Sequence, residues 1–254
     1  MLRLLLSGCN GRMGTIVAQY CALMPDVEIA AGCDLLGSDS REFPVFPSPA
    51  GIRCSIDVAV DFSSPSALDG LLWFCQERKI PLVLATTGHS ERQLAAMEQA
   101  ADVIPIFHSA NLSLGANLLA WLVRQATACL GEEYDVEIIE RHHRYKKDAP
   151  SGTALLLAKA ASAGLAAPLT PVCRGSGHGT PRRREEVGIS CVRGGGITGD
   201  HTVLLAGTDE VLELSHSALN RTAFASGAIK AARFLAGVTQ PGLYCMDDLI
   251  CRPQ

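Results

Sequence analysis

The 254-residue chain contains no Cys-x-x-Cys pair, although it holds ten cysteines. Scattered singly, they offer neither the paired spacing of a zinc site nor a redox motif, and read as small apolar fillers in a reducing compartment. The histidines are no better placed for a metal: His89 and His108 lack ligand spacing to other His, Cys or acidic residues, so no metal site is expected. No stretch reaches the roughly 18 uninterrupted apolar residues that span a bilayer, and the apolar opening at residues 2–6 ends at Ser7-Gly8, too soon for a signal peptide. An excess of positive charge is also missing. With 22 basic against 26 acidic residues the formal charge is −4, which gives no whole-chain attraction to nucleic acid or anionic lipid. These absences lead to the expectation of a cytoplasmic protein without nucleic-acid or membrane partners, in which any anion site is local.

What is present is an ordinary globular composition, 48% hydrophobic and 19% charged, long enough for one large or two modest domains. Residues 2–6 form a short buried-type strand that runs into Gly8-Cys9-Asn10-Gly11-Arg12-Met13-Gly14, followed by apolar residues at helical spacing. In a strand, G-x-x-G-x-x-G, helix arrangement, glycines let the backbone approach a pyrophosphate while the helix N-terminus holds its charge. The spacing departs from G-x-G-x-x-G by one residue, and a glycine-rich turn without a nucleotide is the alternative. The next strand, residues 27–33, ends in Asp34, where an acid binds a ribose hydroxyl pair. Leu35 and Leu36 follow rather than Arg or Lys. A 2′-phosphate there meets a carboxylate and no cation, so NADH is expected to be preferred over NADPH.

Prolines at 44, 47 and 49 make residues 41–53 a surface loop. Strand and helix then alternate: strands at 56–62, 80–84 and 103–107, a helix from Ser64-Pro65, and a helix opened by the capping-box pattern Ser90-x-x-Gln93. Alternation of this kind means a doubly wound parallel sheet of Rossmann type, whose ligands bind at the carboxyl ends of the strands. After a long apolar helix at 112–130 the pattern changes. Strands at 134–139, 187–193, 201–206 and 211–216 and one helix at 154–161 predict a second, α+β domain with a mixed four-stranded sheet, in which glycines 194–196 turn a hairpin from the second of these strands into the third. One helix leaves a face of such a sheet bare, so a homo-oligomer is expected. A helix from Thr222 returns to the first domain. The expected domains are residues 1–112 with 221–254, binding the dinucleotide, and 113–220, binding substrate and making the oligomer.

The densest chemistry lies in ERHHRYKKDAPSGT, residues 140–153, a loop between strand and helix. His142, His143, Lys146 and Lys147 bring side chains, and Ser151-Gly152-Thr153 opens a helix whose free N–H groups attract an anion. Pro150 cannot be continued backwards as helix, which pins the start near Ser151. An imidazole with an ordinary pKa of about 6.5 exchanges a proton near neutrality, whereas a lysine at about 10.4 acts as a cation. The motif therefore combines an acid/base with a clamp for a small carboxylate-bearing substrate; a solvated basic loop with an ordinary Ser N-cap is the alternative. Elsewhere, Arg182-Arg183-Arg184 reads as a solvated charge run or, alternatively, a lid over an acidic substrate, while His201 and His216 read as structural strand residues. His178 carries no readable signal.

These motifs, with DVAVDFS at 57–63, ATTG at 85–88 and SANLS at 109–113, resemble the dihydrodipicolinate reductase family over essentially the whole chain. The resemblance implies hydride transfer from NADH or NADPH to hydroxy-tetrahydrodipicolinate, with loss of water, on the diaminopimelate route to lysine. It implies His142 as proton donor/acceptor and Lys146 as the donor beside it, with His143, Lys146, Ser151, Gly152 and Thr153 holding a small dicarboxylate. It implies a nucleotide held by Gly8, Asn10, Gly11, Arg12, Met13, Asp34, Phe62, Ala85, Thr86, Thr87, Ser109, Ala110, Asn111 and Leu112, with Arg221 and Phe224 near the nicotinamide, and it implies a homotetramer. Tyr145 stands where the family carries a histidine, and Leu35 where some members carry an arginine. The rival readings are a nucleotide-sensing protein that has lost catalysis, and a dehydrogenase of another small acid such as aspartate.

Overall fold

The computed structural model describes residues 1–36, 41–173 and 181–251. The chain divides into two compact units, Met1–Ser113 with Arg221–Gln254, and Leu114–Asn220. The first unit opens with β1 (Leu2–Ser7), α1 (Arg12–Cys21), β2 (Val27–Cys33), β3 (Val45–Phe46), β4 (Val58–Asp61), α2 (Leu68–Arg78), β5 (Leu82–Leu84), α3 (Glu91–Ala101) and β6 (Pro105–His108). The second holds α4 (Leu114–Leu130), β7 (Asp135–His142), α5 (Gly152–Ala163), β8 (Thr170–Cys173), β9 (Glu186–Arg193), β10 (Asp200–Ala206) and β11 (Val211–Ser217). The chain then returns to the first unit as α6 (Thr222–Ala236), β12 (Gly242–Tyr244) and α7 (Met246–Ile250).

The sheet of the first unit runs in the order β12-β6-β5-β4-β1-β2-β3, every neighbouring pair parallel. Its central strands are apolar without interruption because helices cover both faces: Leu82, Val83 and Leu84 are all fully buried. On one face Leu5, Ala59, Leu82, Leu84 and Ile106 join a single cluster with Leu68, Leu71 and Leu72 of α2 and Met97 and Ala100 of α3. Each of the Leu, Ile and Met side chains contributes about 1.5–3 kcal/mol by leaving water. Strand order reverses at β1, which lies between β4 and β2, so the carboxyl ends of β1 and β4 flank the crevice where doubly wound folds place their ligands. Two strands go beyond those expected from sequence: β3, inside the proline-containing 41–53 segment, and β12, a three-residue strand near the end of the chain.

The sheet of the second unit has five strands rather than four, in the order β11-β10-β7-β9-β8. The extra strand, β8, contains Pro171 and lies at an edge, where a missing N–H is tolerated. The expected β9–β10 hairpin does not form. Strand β7 lies between them, parallel to β9 and antiparallel to β10, because residues 194–199 are long enough to step across one strand. The β10–β11 hairpin is present. Both α4 and α5 cover one face, packing Leu119, Val123, Ala154, Leu157 and Ala161 onto Val136, Ile138, Val187, Ile189, Val203 and Leu205. On the alternate positions of the strands, Ile139 and Val192 remain exposed. No helix among the described residues is long and apolar enough to cross a membrane.

Candidate active site

In the first unit the glycine turn is set by close approach. Gly8 has φ +74°, and a Cβ there would stand 2.6 Å from the carbonyl oxygen of Phe62. A Cβ on Gly14 would stand 2.1 Å from the carbonyl oxygen of Gly8. The start of α1 therefore lies directly on the turn, and its first N–H groups are not capped by a side chain of Gly11. Such a cradle fits a dinucleotide phosphate. The Asn10 N–H donates to Asp34 Oδ2 at 3.1 Å, so Asp34 supports the turn through one oxygen.

Arg41 was hidden in the sequence by its loop. Its guanidinium donates to the Cys9 carbonyl at 2.7 Å and to Thr15 Oγ1 at 2.8 Å, which places beside the turn a cation that the run Asp34-Leu35-Leu36 does not reveal. Buried Asp61, at the end of β4, accepts from the Ser63 hydroxyl and N–H and from Thr86 Oγ1, so one carboxylate knits the β4 and β5 loops together.

Two clefts open on this frame. One, of about 310 Å³, is lined by Arg12, Met13, Phe62, Ala85, Ser109, Ala110, Asn111, Leu112, Arg221 and Phe224, all of them candidates from the sequence. The other, of about 430 Å³, is lined by Gly8, Gly11, Asp34, Leu35 and Phe62 among others. Asn10, Thr86 and Thr87 line neither, and Asn10 and Thr86 act through the hydrogen bonds just described.

In the second unit the site forms where β7 ends and α5 begins. Strand periodicity puts Glu140 and His142 on one face, and both are buried, Glu140 completely. His142 Nδ1 meets Glu140 Oε2 at 2.5 Å. Arg193, beside His142 in the β7–β9 register, donates to Oε2 at 2.8 Å and to Oε1 at 2.7 Å, and the Ser151 N–H donates to Oε1 at 3.1 Å. Burial alone would raise the Glu140 carboxyl, but hydrogen bonds from Arg193 and His142 outweigh it and hold the group at about 2. Burial lowers the His142 imidazole, and the Glu140 contact opposes that without overturning it.

Ser151 is the N-cap of α5, its Oγ accepting from the Ala154 N–H. Its hydroxyl also meets His201 Nε2 at 3.1 Å, and the His201 ring stands edge-on to that of His142 at 5.2 Å. The structural histidine of the sequence reading thus borders the candidate acid/base. At the first position of the helix, Gly152 is exposed and an added Cβ would meet nothing within 4 Å. Lys146 Nζ pairs with Asp148 at 2.8 Å, a contact that holds that carboxyl below its usual range. His143 Nδ1 is buried and has no hydrogen-bond partner among the described residues.

The basic run at 182–184 divides. Arg182 is not a solvated charge: its guanidinium pairs with the carboxylates of Asp135 and Glu137 and donates to the Val136 and Glu186 carbonyls, beside the first residues of β7 and β9. Arg183 and Arg184 are exposed. His178 lies outside the described residues. Neither Glu140 nor Arg193 is singled out by the sequence alone. The i, i+2 spacing before His142 was the available signal for the first, whereas Arg193 is brought in only by strand pairing.

The family model described as dihydrodipicolinate reductase, N-terminus, matches residues 2–112, and the one described as dihydrodipicolinate reductase, C-terminus, matches residues 115–250. The chain is 46% identical to a 4-hydroxy-tetrahydrodipicolinate reductase of Caldanaerobacter subterraneus and 42% identical to one of Clostridium novyi, each alignment covering 98% of both chains. Among solved structures it is similar to dipicolinate-bound dihydrodipicolinate reductase from Paenisporosarcina sp. TG-14, with a TM-score of 0.80, 25% identity, and coverage of 96% of this chain and 97% of that one.

Proposed function

Because the chain belongs to the dihydrodipicolinate reductase family, we propose that His142 is the proton donor/acceptor of its reaction and Lys146 the donor beside it. The protein is an NAD(P)H-dependent oxidoreductase that reduces 4-hydroxy-tetrahydrodipicolinate. Substrate takes up one hydride and one proton and loses its hydroxyl as water, giving tetrahydrodipicolinate. The nucleotide site of the first unit would supply the hydride, through bound NAD(P)H. The residues that would hold it are Gly8, Asn10, Gly11, Arg12 and Met13 at the phosphates, Asp34 at the adenosine ribose, and Phe62, Ala85, Thr86, Thr87, Ser109, Ala110, Asn111, Leu112, Arg221 and Phe224 around the remainder.

The observation that carries the proton assignment is the buried His142 on Glu140, whose carboxylate also takes the Ser151 N–H at the start of α5. One structural point therefore unites a titrating ring with a helix N-terminus suited to a carboxylate. His143, whose buried Nδ1 has no partner among the described residues, and Lys146, Ser151, Gly152 and Thr153 would hold the two carboxylates of the substrate. Dipicolinate, the ligand of the Paenisporosarcina relative, has two such groups.

NADH is preferred over NADPH in this reading. Asp34 repels a 2′-phosphate, Leu35 and Leu36 are exposed and apolar, and the Arg41 guanidinium is committed to Cys9 and Thr15. The test mixes protein, freshly generated substrate and either cofactor, and follows nicotinamide absorbance. Oxidation should be faster with NADH at limiting cofactor and should fall roughly 10²- to 10⁴-fold in His142→Gln. Higher efficiency with NADPH would remove the cofactor assignment. No oxidation with either cofactor, despite nucleotide binding, would favour a sensor or another substrate.

A further inference from the structure

We propose that Glu140, clamped by Arg193, is the positioning residue for His142: it keeps a proton on Nδ1 and leaves Nε2 as the ring nitrogen that exchanges a proton with substrate. The inference rests on the reading of His142 as the acid/base. A carboxylate with no solvent exposure is costly unless its oxygens are occupied, and both Glu140 oxygens are. Oε1 accepts from Arg193 at 2.7 Å and from the Ser151 N–H at 3.1 Å; Oε2 accepts from Arg193 at 2.8 Å and faces His142 Nδ1 at 2.5 Å.

An ionised carboxylate only accepts, so the nitrogen facing it is the donor. The neutral ring then carries its lone pair on Nε2, and the imidazolium carries its transferable proton there. That side of the ring faces Gly199, where even a Cβ would come within 3.0 Å of Nε2. When His142 gives its Nε2 proton to substrate, Nδ1 keeps its own and Glu140 stays ionised. Arg193 already balances the Glu140 charge, so a neutral resting His142 leaves no buried charge unpaired.

The charged and titratable groups facing this pair are Arg193 and Cys191 on β9, Lys146 in the loop and His201 on β10. Of the groups around His142, Glu140 is the one that favours its protonated form through a hydrogen bond, while Lys146 and Arg193 oppose it. Glu140→Gln retains an oxygen for the Ser151 N–H but turns an amide donor toward Nδ1. It should move the ring proton to Nε2 and lower the pH at which His142 titrates.

The experiment uses the full-length protein with 15N-labelled histidine, the His142 ring signals being identified by their loss in His142→Gln. Wild-type protein should show the Nδ1–H tautomer and Glu140→Gln the Nε2–H tautomer. In turnover, Glu140→Gln should lose roughly 10²- to 10⁴-fold in kcat with KM for substrate changed only a few-fold, its protonation-dependent limb should shift to lower pH, and Glu140→Asp should recover part of the loss. An Nε2–H tautomer in the wild type, or a Glu140→Gln enzyme that is merely less stable with tautomer and pH limb unmoved, overturns the proposal. Should Glu140→Gln fail to fold, the wild-type tautomer decides alone. A fully active His142→Gln would instead sink the acid/base assignment, whatever Glu140 does.

Discussion

His201 is a buried base whose surroundings set a stability window. Burial, reinforced by the neighbouring His142, pushes its imidazole down to about 4. Above pH ~6.5 the ring is neutral in both folded and unfolded chains. As pH falls from there toward 4, the unfolded chain binds a proton that the folded one refuses, so stability declines; below 4 both forms bind it and the slope ends. A shift of this size is worth on the order of 3 kcal/mol. The depressed Glu140 carboxyl acts lower: its stabilisation is complete above its ordinary pKa and is lost as pH falls through about 2. Denaturant melts of wild type and His201→Gln, compared between pH 7 and 4, should show a flatter decline in the variant. An equal decline would mean that His201 is not the group responsible.

At the scale of elements, the glycine turn and α1 behave as one piece because Gly14 rests on the Gly8 carbonyl with no room for a Cβ. Gly14→Ala should push the helix start off the turn, weakening NADH binding at least about tenfold and costing about 1–3 kcal/mol of stability, as overpacking does. Titration calorimetry and melting would check both; unchanged affinity would place the phosphate elsewhere. The turn, the capping box at Ser90 and the Ser151 N-cap were legible in sequence, since each depends on residues within a few positions of one another. Strand β8 was not, because Pro171 argues against a strand unless its edge position is known. The β9–β10 pairing was misread for a related reason: a glycine-rich connection suits a hairpin and an intervening strand equally well, and only β7 filling the gap decides between them.

At the scale of the whole molecule, both helices of the second unit lie on one face of its five-stranded sheet. The other presents Ile139 and Val192, exposed at 38% and 44%. Exposed apolar positions on a sheet face are protected by association, so a homo-oligomer joined through these sheets is expected, and the family resemblance implies that it is a tetramer. Light scattering at micromolar concentration should give four times the chain mass, and Ile139→Glu should shift the population to smaller species. A wild-type monomer would show that the face stays in water.

The linear order of residues determined the chemistry that acts over short range: a strand, a glycine turn and a helix start in one place, and two histidines, a lysine and a helix N-terminus within fourteen positions in another. Periodicity and capping are local, so they can be read before the chain is folded. Tertiary structure decided the partners of those groups. Arg193 reaches Glu140 across 53 positions and Thr86 reaches Asp61 across 25, joined by strand pairing rather than by sequence proximity. A buried carboxylate is tolerated only where such a partner arrives, and which strand brings it depends on burying apolar faces throughout the sheet.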